Sequence, residues 1–469
     1  MAVSLERRAN AVPPPDKVPA EAWRMAWVIV LGAFMTMLDT TVLAVGAETL
    51  TRELGAGIAS VQWVFTAYLV ALAVALPLCG WLSRRFGAGR VWLASLAAFT
   101  VASVLCALAG NVGWLIGLRV LQGLAAGLLL PAGQTVLGQA VGPARLGRVM
   151  GTLGIVMSVG PTFGPVLGGV LLRGLSWEWL FLINIPVGVI ALVLGLRLVP
   201  RGEKGAVTRP DWFGFVLVSA GIPALLYGLT TWGEGGEEFG AGVLVPLVAG
   251  VVLLALFVRR SWGRENPVMD LTLLRSRVYT AAVVLSFFAA PALFGALFLL
   301  PLYFQVLGGS GVVETGLLLI GLGVGTAIAL PISGKLTDRY GAGLIAAWGS
   351  VATLATTVPF AIGGFPPDGV IVQILLLARG IAVAFLLMPA TTAGYAAVTK
   401  EQLPDAAAQI NIVSRVGGAA GTALFAVVLA NLLPAGADSA FRATFWWLTA
   451  SAAVAAVLGA RLWWVTRRR

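Results

Sequence analysis

Residues 80–89 read GWLSRRFGAG, and a closely similar phrase, GKLTDRYGAG, returns at residues 334–343. Each copy follows an apolar stretch and combines basic residues with glycines that permit a sharp bend. A basic, glycine-bent turn at the same point of two hydrophobic halves is typical of membrane transporters built from related halves. The repeat therefore predicts two internally related membrane bundles.

The composition also indicates a membrane protein. Of the 469 residues, 59% are hydrophobic and only 11% are charged, which leaves too little polar surface for a soluble protein. A helix needs about 20 mostly apolar residues to cross a bilayer. Such stretches predict an all-α integral membrane protein with fourteen spans, near residues 26–50, 60–82, 91–110, 113–135, 149–172, 179–199, 211–232, 241–259, 279–305, 314–334, 344–362, 369–393, 407–432 and 442–464.

The basic residues set the expected orientation. Residues 1–25 contain arginines, a lysine and a triple proline but no apolar core, so we interpret them as a cytoplasmic tail and not as a cleaved signal peptide. Most of the 31 Lys and Arg residues fall on the side shared by both termini, and basic loops are retained in the cytoplasm. We therefore expect a multi-pass protein of the cytoplasmic (inner) membrane with both termini inside.

The charge and the rare residue types exclude several functions. The net charge of +11 follows the loops and forms no basic patch with interleaved aromatics, so anionic membrane lipids are the expected partner, not nucleic acid. The two cysteines, Cys79 and Cys106, indicate neither a disulfide framework nor a metal site. With no histidine and no Walker A sequence, zinc hydrolysis, serine–histidine catalysis and ATP use are disfavoured. We expect a monomer that is not an enzyme and has no cofactor.

The repeated phrases divide the chain into two halves. Arg119 followed by LLLPA at 128–132 is echoed by Arg379 followed by LLMPA at 386–390, which extends the correspondence beyond the phrases. Two six-helix bundles around a central cavity are the expected architecture. The predicted divisions are the tail at 1–25, an N-terminal bundle at 26–199, a linker with two extra spans at 200–278, and a C-terminal bundle with a short basic tail at 279–469.

Four further motifs occur in order on the predicted spans. They are LDTTV at 38–42, QWVFTAYL at 62–69, RVLQG at 119–123 and GPTFGPVLGG at 160–169. With the repeated phrase, they resemble the motifs of the fourteen-span drug:proton antiporter family of the major facilitator superfamily. The resemblance implies proton-coupled export of amphipathic organic compounds, as in multidrug efflux, by alternating access. The competing interpretation is a facilitator or importer of an amphipathic metabolite or lipid with the same fold.

Asp39 is the carboxylate that the sequence places well inside a span, about 18 Å along the helix from Trp27. An ionised carboxylate at that depth is costly unless it is paired or faces water. Burial favours its protonated form and a nearby arginine favours its ionised form, so Asp39 is the expected proton carrier, tuned by Arg119. Glu314 is a second candidate. The alternatives are an Asp39–Arg119 pair that only holds helices together, or an Arg119 that reaches the outer headgroups.

The resemblance also implies which side chains face the cavity. An apolar, aromatic wall with few polar groups suits amphipathic molecules better than sugars. The alternative for each aromatic residue is ordinary packing or contact with lipid. The expected substrate-binding residues are Gln62, Trp63, Thr66, Tyr68, Gln122, Phe287, Phe294 and Phe298.

Glycines four residues apart in span five form a smooth face for close helix approach, and its prolines permit a bend. This predicts a flexible contact between the halves, with ordinary close packing as the alternative. The expected gating residues are Gly80, Arg85, Gly87, Gly160, Pro161, Gly164, Pro165, Gly168, Gly169, Gly334, Asp338, Arg339 and Gly341.

Two charge patterns depart from expectation. The first phrase carries Arg84 where the family has an acid that helps to latch the cytoplasmic side, whereas the second phrase keeps Asp338. We therefore expect a weaker latch, or one supplied by other residues. Inside the predicted spans there are one aspartate, Asp39, and three arginines, Arg119, Arg379 and Arg415. The net charge of the spans is therefore positive, and the substrate can be anionic, zwitterionic or neutral.

Overall fold

The computed structural model describes residues 18–205, 211–235, 240–264, 266–363 and 369–468. Within these ranges the chain forms helices joined by turns. At residues 156–163, 165 and 166 the helical backbone is described without the side chains. The expected gating residues Gly160, Pro161 and Pro165 therefore lie outside the described side chains.

The helices follow the predicted order of spans. Spans one to six are Ala20–Val45, Ile58–Ala75 continued by Leu78–Phe86, Ala88–Ala107, Val112–Val141, Leu146–Gly174, and Trp179–Leu182 continued by Asn184–Leu198. Spans seven and eight are Trp212–Gly235 and Ala241–Ser261. Spans nine to fourteen are Arg277–Val306, Val312–Leu318 continued by Ile320–Tyr340, Ala342–Ile362, Val370–Ala396, Leu403–Leu432 and Ala437–Arg467.

Among the described residues, thirteen helical segments are long and apolar enough to cross a membrane. Span five, whose side chains are partly described, is a helix of 29 residues. At about 1.5 Å per residue, its length exceeds the roughly 30 Å hydrocarbon core of a bilayer. The chain is therefore an all-α, multi-pass membrane protein. Span one is displaced from its predicted position: it starts after Pro19 and stops at Gly46, because Ala47–Glu53 forms a separate short helix.

The repeated phrase builds the same turn twice. Gly87 and Gly341 have φ angles of +90° and +92°, which only glycine adopts without strain. Each ends one helix and begins the next within a single residue. A Cβ atom on Gly89 would lie 1.8 Å from the carbonyl oxygen of Pro200. The phrase is thus a tight corner between antiparallel helices.

The apolar core differs between the two sides of the protein. We call the side on which both described ends of the chain lie the terminal side, and the other the distal side. On the terminal side, one continuous cluster joins both bundles through Leu72, Leu137, Leu330 and Leu403. On the distal side, the N-terminal and C-terminal bundles have separate clusters. Among the described residues the bundles therefore share an apolar core on the terminal side and not on the distal side, and we call the region between them toward the distal side the cleft.

Spans seven and eight pack against each other beside both bundles. Span seven contacts span thirteen, where Gly233 lies against Ala423, and span two, where the Ser219 hydroxyl donates to the Val74 carbonyl oxygen at 3.1 Å. At the terminal side, Asp211 pairs with Arg260 at 2.8 Å. Burial acts to raise the pKa of Asp211, but hydrogen bonds from Arg260 and the backbone hold it below its usual value. The pair thus fixes the ends of both spans.

Candidate functional site

A buried ion pair joins spans one and four. The carboxylate of Asp39 is fully buried, and Arg119 is 1% exposed. Arg119 Nη1 donates to Asp39 Oδ2 at 2.5 Å, and its Nε donates to the Val64 carbonyl oxygen at 3.2 Å. The guanidinium lies over the Tyr68 ring, 4.0 Å from its centroid. The structure thus brings together three of the residues that the sequence singles out.

Three more side chains complete what we call the Asp39 cluster: Ser103, Gln122 and Asn184. Gln122 Nε2 and Asn184 Nδ2 both donate to Asp39 Oδ1, at 2.9 and 3.0 Å. Gln122 also donates to Ser103 Oγ at 2.7 Å. The structure therefore places Gln122, expected on the cavity wall, inside the N-terminal bundle. The sequence reasoning missed Ser103 and Asn184, for which the available signal was a polar residue inside an apolar span.

The geometry of the cluster sets what Asp39 can do. Its two oxygens accept hydrogen bonds from three side chains, so the ionised form is satisfied although it is buried. Protonation would remove the charge that Arg119 neutralises, so a proton on Asp39 and the ion pair compete. In this conformation the side chain has no exposed surface. Proton exchange therefore requires a conformation in which the pair separates and water reaches it.

The other expected binding residues are spread along spans two and nine. Trp63 is 54% exposed on span two, close to the exposed Gln62, and the Thr66 hydroxyl donates to the Gln62 carbonyl oxygen at 3.1 Å. Phe294 is 39% exposed on span nine. Phe287 packs edge-on against Phe288, and Phe298 packs against the distal cluster of the C-terminal bundle. Glu314 is exposed at the distal end of span ten, in the other bundle from Asp39.

Two charged contacts of opposite polarity close the terminal side. Asp338, on the second phrase, accepts hydrogen bonds from the backbone amides of Gly147 at 2.8 Å and Arg148 at 3.2 Å, and pairs with the Arg148 side chain at 3.3 Å. Arg84, on the first phrase, forms an ion pair with Asp405 of span thirteen and donates to the Pro267 carbonyl oxygen at 3.1 Å. The acid missing from the first phrase is thus present on its partner helix.

The remaining expected gating residues have varied neighbours. Arg85 lies over the Trp81 ring at 5.2 Å, and Arg339 lies over Tyr340 at the same distance. Gly80 packs against the Asp405 side chain.

The glycine face of span five differs from its expected place between the halves. Gly164 and Gly168 pack on Thr41 and Val42 of span one, within their own bundle, and Gly169 faces open space. The contact between halves is made nearer the terminal side, by a second set of span-five glycines. Gly147 lies against Gly334 of span ten, and Gly151 and Gly154 both lie against Leu330 of the same span.

This arrangement can be compared with known proteins. A statistical model described as Major Facilitator Superfamily matches residues 29–422. The chain belongs to the major facilitator superfamily. It is 36% identical over 421 residues to the multidrug resistance protein B homolog of Mycobacterium tuberculosis, covering 88% of this chain and 77% of that protein. It is 30% identical over 397 residues to the multidrug export protein EmrB of Haemophilus influenzae, covering 84% and 78%.

A solved structure confirms the major facilitator fold. The human organic anion transporter MFSD10 (TETRAN) superposes with a TM-score of 0.66 at 15% identity, covering 94% of this chain and 100% of that one. At this identity the match concerns the fold alone. Together with the relatives, it confirms the resemblance drawn from the motifs: this major facilitator protein is a membrane transporter of small molecules, not an enzyme.

The close contact of Gly147 gives a prediction. A Cβ atom there would lie 2.5 Å from Asp338 Oδ1 and 2.7 Å from the Gly334 carbonyl oxygen. Because overpacking costs about 1–3 kcal/mol, Gly147→Ala should reduce the population closed on the terminal side by about fivefold or more. Dye transport into vesicles should slow accordingly. The matched control is Gly174→Ala on the same helix, where nothing lies within 4 Å; equal rates in both variants would contradict the prediction.

Proposed function

We propose that this major facilitator protein is a proton-coupled exporter of amphipathic organic compounds in the cytoplasmic membrane, with both termini in the cytoplasm. Relatives named for multidrug resistance and multidrug export support the direction and breadth of transport. The bundles at 26–199 and 279–469 rock against each other as a monomer. The terminal side is then cytoplasmic, and the described conformation faces outward.

The buried Asp39–Arg119 pair is the observation that carries proton coupling. A carboxylate sealed in the N-terminal bundle can exchange a proton only when its partner moves away. Arg119 separates from Asp39, an outside proton binds Asp39, and the bundles rock inward. Substrate binding then displaces the proton to the cytoplasm, and the pair forms again. The available driving force is ~2.3 kcal/mol per charge per 100 mV and ~1.4 kcal/mol per pH unit.

The cleft supplies the cargo site in this proposal. We assign Gln62, Trp63 and Thr66 of span two and Phe294 of span nine to its lining, because all four side chains are partly or largely exposed. Such a surface holds molecules with an apolar body and few polar groups. Glu314, exposed at the distal end of span ten, is kept as a second proton-accepting group on the outward path.

The decisive experiment uses Asp39→Asn, which keeps the shape and removes the titrating charge. Inverted vesicles receive an imposed pH gradient, and uptake of an amphipathic fluorescent dye is followed with time. We expect proton-driven uptake to fall to the level of empty vesicles, while exchange of dye without a gradient persists. Asp438→Asn is the control, because that carboxylate is 69% exposed. Undiminished proton-driven uptake by Asp39→Asn would remove Asp39 from the mechanism.

A further inference from the structure

Arg415 lies in the middle of span thirteen, about 18 Å along the helix from Leu403. Its side chain is half-buried. The other two arginines inside the spans have partners: Arg119 pairs with Asp39, and Arg379 donates to Thr357 and to the Ala292 carbonyl oxygen. Arg415 makes no hydrogen bond or ion pair with any part of the chain that the structure describes. It is therefore a charge at mid-depth without a counter-ion among the described residues.

The neighbours of Arg415 show where its helix face points. One turn earlier, Asn411 Nδ2 donates to Gln134 Oε1 of span four at 2.7 Å, and the Tyr395 hydroxyl donates to the same oxygen at 3.1 Å. Residues four apart share a helix face, so Arg415 faces the N-terminal bundle one turn nearer the distal side. The polar contact at Gln134 forms the floor of the cleft. Arg415 stands directly above this floor.

Tyr68 approaches the same place from span two. The Tyr68 side chain lies near enough to Arg415 for the two to influence each other electrostatically. The Tyr68 side chain is 1% exposed, and its hydroxyl has no hydrogen-bond partner in the described chain. Two polar groups without hydrogen-bond partners among the described residues, one from each bundle, therefore lie near each other. A ligand that accepts hydrogen bonds would satisfy the half-buried Arg415.

The charge balance selects the sign of that ligand. Asp39 is held by Arg119, and the acids at the terminal ends of the spans, Asp338 and Asp405, pair with arginines of the opposite bundle. The membrane interior of the described chain thus offers Arg415 no free carboxylate. A guanidinium without a counter-ion is unfavourable at this depth, and its planar donors match a carboxylate or phenolate.

We infer that Arg415 binds the anionic group of the transported compound, so the cargo class is amphipathic organic acids. This inference rests on the proposed export function and names its substrate class. The apolar part of the acid lies toward the exposed Trp63 and Phe294. Because the Tyr68 ring also stacks on Arg119, Tyr68 connects the surroundings of Arg415 with the Asp39 cluster.

The test compares two xanthene dyes that share a scaffold and differ in charge: fluorescein, an anion, and a cationic rhodamine. Binding to the purified full-length protein is measured by fluorescence anisotropy. Arg415→Gln should weaken fluorescein binding at least about tenfold, because it removes a charge-assisted contact. Arg415→Lys should restore part of it, since a lysine keeps the charge without the planar donors. Rhodamine binding should be unchanged or stronger in Arg415→Gln.

Arg461→Gln is the matched control, because this arginine is exposed at the terminal end of span fourteen. Tighter wild-type binding of rhodamine than of fluorescein would overturn the inference, as would equal loss of both dyes in Arg415→Gln. The export proposal is tested separately in vesicles with a pH gradient. Selective fluorescein binding without proton-driven transport would overturn the export proposal and leave Arg415 as an anion-binding residue.

Discussion

Arg119→Leu alone is expected to destabilise the protein by about 3–5 kcal/mol, because it leaves a buried carboxylate without its counter-charge. Asp39 has no exposed surface, and Arg119 is its ionic partner. Combining Arg119→Leu with Asp39→Asn removes both charges and should recover most of the stability. Thermal unfolding of the purified variants, followed by intrinsic tryptophan fluorescence, measures both effects.

The double variant separates the two interpretations of the pair. If Asp39 carries the proton, proton-driven dye transport stays absent although the fold is restored. If the pair only holds helices together, transport returns with stability, and the coupling role is wrong. Arg52→Leu is the control, because the Arg52–Glu53 pair is largely exposed and such pairs contribute about 0–1 kcal/mol.

Arg84→Asp should open the terminal side of the protein. It sets a second carboxylate beside Asp405, whose side chain is 2% exposed, and like charges there repel strongly. Leu403, two residues before Asp405, packs against Gly138 of span four in the opposite bundle and is 5% exposed, so Leu403→Cys reports on opening. In a background that also carries Cys79→Ala and Cys106→Ala, a membrane-impermeant maleimide applied from the terminal side should label the variant about tenfold faster, equivalent to about 1.4 kcal/mol.

The matched variant for this test is Arg275→Asp. Arg275 is exposed on the same side of the protein, so Arg275→Asp changes the net charge by the same amount and leaves the Arg84–Asp405 pair intact. Labelling as slow in Arg84→Asp as in Arg275→Asp would mean that the Arg84–Asp405 pair does not hold the terminal side closed.

The sequence predicts the architecture well, because length and hydropathy decide which segments cross a membrane. The partnership of Asp39 and Arg119 is also predictable, since both lie at similar depth in neighbouring spans. Asn184 and Ser103 are not, because small polar residues occur in many spans and the rotation of each helix decides which of them face inward. Asn184 of span six donates to Asp39, and Ser103 of span three accepts from Gln122. Both hydrogen bonds form only after these spans have packed.

The Arg84–Asp405 ion pair is likewise not predictable from the sequence. The two residues are 321 positions apart, and only the docking of the bundles brings them together. In the sequence the first phrase therefore lacks its expected acid, although in the folded protein Asp405 forms an ion pair with its Arg84. Span five gives a similar lesson: its glycine spacing predicts a close contact, but the partner, span one or span ten, depends on which end of the helix meets which bundle.

The position of span seven makes lateral access to the cleft one-sided. By lying on both span two and span thirteen, it shields that seam from the surrounding acyl chains. Within the described chain, spans five and ten form the other seam without such a cover. A hydrophobic cargo dissolved in the membrane would thus have a single lipid-facing entrance, whereas a protein with twelve spans of this fold would have two.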